Sequence, residues 1–163
     1  MTMDQSDSVR VIEAGMQDLD LVVPLFDRYR RFYGQSSDLN LAQRFVRARV
    51  EHRDSVIYLA LDGEGADEMA LGFALLYPSF DSVLATPIWI LNDLYVLEGV
   101  RRRGIAKILI AQGRQLAENT GACALSLATA VDNAPSRKLY EALGFELDAR
   151  FCTYLLHLEP PTE

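Results

Sequence analysis

The stretch Leu94-Tyr95-Val96-Leu97-Glu98-Gly99-Val100-Arg101-Arg102-Arg103-Gly104-Ile105-Ala106 runs in order from an apolar strand, through a basic turn, into the start of a helix. The first N–H groups of a helix have no partner inside it, and the helix dipole is positive there. Such a turn can therefore cradle a diphosphate through main-chain donors, with Gly104 and Ala106 keeping side-chain bulk out of the approach. Three consecutive arginines also concentrate positive charge in a chain whose formal net charge is -7. A bound polyphosphate accounts for that concentration; a solvated basic turn capping a helix is the competing reading. Two common nucleotide loops fit less well. No Lys-Ser or Lys-Thr follows Gly104, and three glycines at dinucleotide-loop spacing are absent.

Upstream, Ile88 to Val96 is apolar enough that both of its faces need cover, which predicts a central strand. Val56–Leu61 and Ala70–Tyr77, separated by Asp62-Gly63-Glu64-Gly65, predict an antiparallel hairpin. Leu19, Val22, Val23, Phe26 and Tyr29 recur at helical spacing over Gln17–Tyr33, and Gly34 ends that helix. A second helix over Asn40–Arg53 turns Leu41, Phe45, Val46 and Val50 inward and its arginines mostly outward. A short strand over Val9–Glu13 precedes both.

Downstream, the spacing predicts a helix from Gly104 to Thr120 closed by Gly121 and a short buried strand over Ala124–Ala128. A helix over Pro135–Leu143 closed by Gly144 and a last strand over Phe151–Leu158 follow. Strands alternating with helices predict a mixed α/β or α+β sheet. Residues 8–158 are expected to form one domain, between an unstructured first seven residues and the tail Glu159-Pro160-Pro161-Thr162-Glu163.

Half of the 163 residues are apolar, which suits a single globular domain. No apolar run approaches the roughly 20 residues of a membrane span, and the first residues lack a signal-peptide pattern. A soluble, cytoplasmic protein is expected. The negative charge argues against nucleic-acid and anionic-membrane binding and mildly favours a cationic substrate. Cys123 and Cys152 are too few and too far apart for a disulfide framework and are expected as buried thiols. His52 and His157 lack partners at ligand spacing, so no metal is expected.

Two blocks now carry a family resemblance. Arg101-Arg102-Arg103-Gly104-Ile105-Ala106 is similar to the R/Q-x-x-G-x-G/A signature of the GNAT acetyltransferases, with Ala106 where glycine is usual. Asn133-Ala134-Pro135-Ser136-Arg137-Lys138-Leu139-Tyr140-Glu141-Ala142-Leu143-Gly144-Phe145 resembles the N-x-x-A/S-x-x-x-Y-x-x-x-G-F segment of the same family, in the expected order. The likeness runs from about Val9 to Leu158, and Trp89 to Val96 looks most like the small-amine and diamine branches. What it implies is the GNAT fold: a mixed, largely antiparallel sheet of six to seven strands with about four helices, splayed between strand 4 (Ile88–Val96) and strand 5 (Ala124–Ala128). It also implies acetyl-CoA as donor, a small-molecule amine as acceptor, and a homodimer.

Acetyl transfer from a thioester needs a neutral amine, a polarised carbonyl and a proton for the leaving thiolate. The resemblance assigns the last task to Tyr140 and coenzyme contacts to Arg101, Arg102, Arg103, Gly104, Ile105, Ala106, Asn133 and Ser136. Main-chain N–H groups of Leu94, Tyr95 and Val96 would polarise the carbonyl. An alkylamine with its usual pKa near 10.4 is about 99.9 % protonated at neutral pH, so a base is required. A carboxylate inside an apolar strand is costly without a task or a partner, which singles out Asp93. A salt bridge or a local hydrogen bond would also explain it. Strand alternation sends Asn92 to the opposite face, as the fallback acceptor contact. Tyr29, Tyr33, Phe80, Asp81 and Trp89 are candidates for the amine pocket. A protein lysine or N-terminal acetyltransferase, or a non-catalytic acyl-CoA sensor, would share the coenzyme turn.

Overall fold

The alternation of apolar residues along Val56–Asp62, Met69–Asp81 and Thr86–Val96 produces the three long strands that the sequence predicts. The structure, a computed structural model, describes residues 9–158; the expected unstructured first seven residues and tail lie outside them. In chain order the elements are β1 (Arg10–Glu13), α1 (Leu19–Phe32), α2 (Leu39–His52), β2 (Val56–Asp62), β3 (Met69–Asp81), β4 (Thr86–Val96), α3 (Ile105–Asn119), β5 (Leu125–Leu127) and α4 (Ala134–Ala142). The described chain divides into two compact units, with the boundary after Ala128.

The first unit holds a five-stranded sheet in the order β1-β2-β3-β4-β5. Neighbours are antiparallel from β1 to β4, and β5 is parallel to β4. The fold is therefore the mixed, largely antiparallel sheet expected, with five strands rather than six or seven. The expected strand over Phe151–Leu158 is absent: these residues form no strand and their side chains are exposed. Apolar residues occupy both alternating sets there, so the run has β propensity but no single face to bury, and no strand among the described residues pairs with it.

One face of the sheet is covered by α1 and α2. Val22, Val23, Phe26, Ala42 and Val46 pack there with Leu59, Leu61, Phe73, Leu75 and Tyr95. Complete burial of each large apolar side chain contributes roughly 1.5–3 kcal/mol, which anchors both helices to the strands. The other face receives α3. A Cβ added at Gly113 would lie 3.0 Å from Leu76 Cδ2 and 3.6 Å from Leu91 Cδ1, so the glycine lets this helix settle closely on β3 and β4. β4 lies inside the sheet with cover on both faces, as predicted, but next to the short edge strand β5; the central strand of the five is β3.

The pairing of β3 with β4 contains a bulge. Leu75 is opposite Asp93 and Leu76 is opposite Leu91, which leaves Asn92 as the extra residue. Without it, Leu91 and Asp93 would share a face. With it, Leu91 turns toward α3 while Asp93 and Tyr95 turn toward α1.

The second unit contains α4, capped by Asn133, whose Oδ1 accepts from Ser136 N at 3.3 Å. The expected burial of the two thiols is not found, since both Cys123 and Cys152 are exposed. Cys123 lies in the open turn that leads into β5, and Cys152 in the segment without regular structure.

Candidate active site

The basic turn leaves β4 at Val96, passes through one 3-10 turn over Glu98–Val100, and enters α3 at Gly104. Gly104 is the N-cap in the left-handed region, with φ 76°, a conformation that favours glycine. A Cβ placed there would meet nothing within 4 Å, so backbone freedom, rather than relief of crowding, is what the glycine supplies. No side chain caps α3, whereas Asp38 caps α2 and Asn133 caps α4. The first intrahelical bond runs from Ile108 N to Gly104 O at 3.2 Å. The N–H groups before it, at Ile105, Ala106 and Lys107, form the donor set that an anion at a helix start uses.

The three arginines do different things. Arg103 Nη2 pairs with Asp62 Oδ2 at 3.2 Å and ties the turn to the end of β2. Arg101 donates through Nε to the Val96 carbonyl at 3.1 Å, and its guanidinium stands 5.6 Å from the centre of the Phe32 ring. Arg102 is exposed and has φ 66°, the left-handed region again. Two arginines therefore shape the turn, while Arg102 presents its charge to solvent.

Beside this turn, β4 offers an open edge. Leu97 N donates to Leu71 O at 2.9 Å. Alternate residues of an antiparallel strand face the same neighbour, so Tyr95 also faces β3 while Leu94 and Val96 face away from it. On that side β5 pairs only with Trp89, Ile90 and Leu91. Past Leu91, β5 gives no partner to the main chain of Leu94 and Val96. This limited pairing corresponds to the splay expected between strands 4 and 5.

On the α1 face, Asp93 is 6 % exposed. Tyr29 Oη donates to Asp93 Oδ1 at 2.5 Å, and Asn92 Nδ2 donates to the same oxygen at 3.0 Å. Burial pushes the Asp93 carboxyl above the ordinary range, and the two donors oppose that without cancelling it. Burial also raises the Tyr29 phenol, helped by the Asp93 carboxylate beside it, so Tyr29 stays protonated and remains the donor. Asn92 does not point to the opposite face: the bulge brings its amide to Asp93, because alternation fails where one residue is inserted.

An aromatic wall surrounds the pair. The Tyr29 ring lies 5.1 Å from Tyr33, 5.8 Å from Phe73 and 6.4 Å from Tyr95, the last two nearly edge-on. Tyr33 and Phe32 are about half exposed, and Phe32 contacts the Tyr33 ring at 5.2 Å. The structure thus brings Asn92 to Asp93, and Tyr33 against the ring of Tyr29, which bonds Asp93. It does not bring Phe80 or Trp89 there. Phe80 is exposed at the far end of β3, opposite Pro87. Trp89 lies on the α3 side of the bulge, with Nε1 donating to Thr120 Oγ1 at 2.8 Å. Asp81 caps its own turn through Val83 N and Leu84 N. Phe32 is the residue that sequence reasoning overlooked; its place one helical turn beyond Tyr29 and beside Tyr33 was the available signal.

In the second unit, the Tyr140 ring is partly buried and packs edge-on against Phe145 at 6.0 Å. Asn133 and Ser136 form the α4 cap described above. No cluster of His, Cys, Asp and Glu suited to a metal occurs among the described residues, and no described helix is long and apolar enough to cross a membrane.

The model of the acetyltransferase (GNAT) family matches residues 22–145, which spans the turn, β4 and α4. The chain belongs to the GNAT acetyltransferase family. Its enzyme class is N-acetyltransferase. Among GNAT relatives, it is 39 % identical to the uncharacterised N-acetyltransferase YhfO of Bacillus subtilis, over 92 % of this chain and 98 % of that protein. It is 31 % identical to an aminoglycoside N(6′)-acetyltransferase type 1 of Salmonella typhimurium, over 74 % of this chain and 81 % of that protein. A crystal structure of a probable acetyltransferase superposes with a TM-score of 0.85 at 41 % identity, covering 93 % of this chain and 99 % of the other. The aminoglycoside N-acetyltransferase AAC(6′)-Iy in complex with CoA superposes with a TM-score of 0.75 at 25 % identity, over 92 % and 95 %.

Proposed function

We propose that this GNAT enzyme transfers the acetyl group of acetyl-CoA to the primary amine of a small cationic molecule, by direct attack within a ternary complex. The observation that carries the donor assignment is the uncapped start of α3 behind the Arg101–Arg103 turn, beside the stretch of β4 at Leu94 and Val96 that β5 does not pair. Relatives named for aminoglycosides support a small-molecule acceptor over a protein one, and a net charge of -7 agrees with a cationic substrate.

In this reading, N–H groups of Ile105, Ala106 and Lys107 hold the coenzyme diphosphate, with Arg101, Arg102, Arg103 and Gly104 shaping or lining the turn. Leu94 and Val96 polarise the thioester carbonyl from the open edge of β4, with Tyr95 holding that segment to β3. Asp93 takes a proton from the substrate ammonium, and the freed amine nitrogen attacks the carbonyl carbon. As the carbon–sulfur bond breaks, Tyr140 gives its phenolic proton to the leaving thiolate, the attacking nitrogen sheds its second proton to leave a neutral amide, and that proton restores the Tyr140 phenol by way of solvent. Asn133 and Ser136 contact the coenzyme arm. Tyr33 lines the acceptor pocket. One acetyltransferase domain spanning both units is part of the proposal, supported by a family match that runs through the division. A cytoplasmic homodimer is its expected state, testable by light scattering of the purified protein.

The direct test incubates purified protein with acetyl-CoA and a panel of amines while free thiol release is followed. Acetylated amine formed in step with thiol supports the reading. Coenzyme binding without product on any amine would assign the chain to sensing instead.

A further inference from the structure

Both donors that reach Asp93 converge on one of its two oxygens. Tyr29 Oη and Asn92 Nδ2 bond to Oδ1, at 2.5 and 3.0 Å, and among the described residues Oδ2 receives no hydrogen bond. The two donors come from independent elements. Tyr29 is fixed on α1 by ring contacts to Phe73 and Tyr95, and Asn92 is the inserted residue of the β4 bulge. Oδ2 is not sealed from solvent, so it is the oxygen left open to an incoming group while Oδ1 is occupied.

We infer that Tyr29 and Asn92 are positioning residues that clamp Oδ1 of Asp93 so that Oδ2 is turned to the acceptor amine. This rests on the proposed role of Asp93 as the base and adds what selects its reactive oxygen and its protonation state. The clamp works in two ways. It fixes the carboxylate plane, because an oxygen held by two donors from different directions stops rotation about χ2. It also favours the ionised form, because hydrogen bonds donated to a carboxylate stabilise its charge against burial. The bulge is essential to the geometry, since a regular strand would send the Asn92 amide away from Asp93.

The groups that face Asp93 are few. Tyr29 approaches from α1, with Tyr33 against its ring, and Tyr77 from β3, with the Arg49–Asp54 ion pair beyond Tyr77. Tyr95 lies on the same face of β4. Of these, Tyr29 alone bonds the carboxylate, so the tyrosines can be tested separately.

The test is a carbon-13 NMR titration of the Asp93 carboxyl in the intact protein, paired with the pH dependence of kcat/KM for the best acceptor of the panel. Tyr29→Phe keeps the ring packing, and Asn92→Ala alters an exposed side chain, so both variants should fold. Each should move the carboxyl titration upward by about one pH unit, the size expected for one lost bond to a charged group. The acidic limb of kcat/KM should follow by the same amount, with KM for acetyl-CoA unchanged. Tyr77→Phe, which removes a facing hydroxyl that does not bond Asp93, should leave both in place. Unchanged carboxyl titration in Tyr29→Phe and Asn92→Ala would overturn the clamp whatever the activity. A carboxyl that moves while the kinetic limb does not would instead overturn the role of Asp93 as base, and the clamp's catalytic meaning with it.

Discussion

Replacement of Gly72 by alanine tests the packing on which the proposed donor site depends. An added Cβ would lie 2.5 Å from the Tyr95 carbonyl oxygen, 3.1 Å from Val96 Cα and 3.2 Å from Val96 Cγ2. A carbon–oxygen contact settles at roughly 3.3 Å or more, so β3 and β4 must part by about 0.8 Å at this point. Two of the three atoms are backbone, and a rotamer change cannot relieve them. Overpacking of this kind costs about 1–3 kcal/mol. For a chain of this size each kcal/mol lowers Tm by roughly 2–4 °C, which predicts a fall of about 2–12 °C. The displaced residues are those proposed to polarise the thioester, so kcat should fall by roughly tenfold or more in the protein that remains folded. Calorimetric melting and steady-state kinetics on Gly72→Ala check both effects. A variant with the wild-type Tm and kcat would refute the argument that this close approach sets the position of Tyr95 and Val96.

Three further outcomes follow from particular residues. Tyr140→Phe should lower kcat by about a hundredfold, the lower range for a lost general acid, with acetyl-CoA affinity intact by equilibrium binding; an unchanged kcat removes Tyr140 as the acid. Asp93→Asn should abolish most turnover at neutral pH yet raise thermal stability by about 1 kcal/mol, because the ionised carboxylate is disfavoured by burial and the amide oxygen can still accept from Tyr29 and Asn92. Its sign follows from the raised folded-state value: the cost of Asp93 sets in as pH rises above the unfolded value of 3.8, so the two proteins should converge in stability in more acidic buffer. Asp27 behaves oppositely. Burial pushes its carboxyl up, but Ser37 Oγ at 2.7 Å, Asp38 N at 2.8 Å and the Arg30 guanidinium outweigh that and hold it below 3.8. Its stabilisation is complete above pH 3.8 and is lost as pH falls through the lower folded-state value; acid titration of Asp27→Asn should show less loss than wild type in that window.

The parts of the fold legible in the sequence are those set by local chemistry. The β2–β3 hairpin follows from two apolar runs around Asp62-Gly63-Glu64-Gly65, and α3 from a periodic run opened by Gly104 and closed near Gly121. The turn proposed to hold the coenzyme is equally local, since its donors come from consecutive residues. The bulge at Asn92 is not, because it arises from the register between β3 and β4, and no feature of Leu91-Asn92-Asp93 alone announces it. The same holds for Tyr29 and Asp93, which meet across 64 positions of sequence. Phe151–Leu158 was misleading for the complementary reason: its composition favours a strand, but a strand exists only where another offers its edge. The exposure of Cys123 likewise depends on its position before a short edge strand, which residue-type averages do not carry.

The account turns on the start of α3 as the diphosphate site, and calorimetric titration of the folded protein with CoA tests it most directly. It predicts saturable binding of one CoA per chain, weakened about tenfold or more by Gly104→Val, whose branched side chain resists the left-handed conformation that Gly104 adopts at φ 76°. No binding heat at any temperature tried, or equal affinity in the folded Gly104→Val protein, would contradict it.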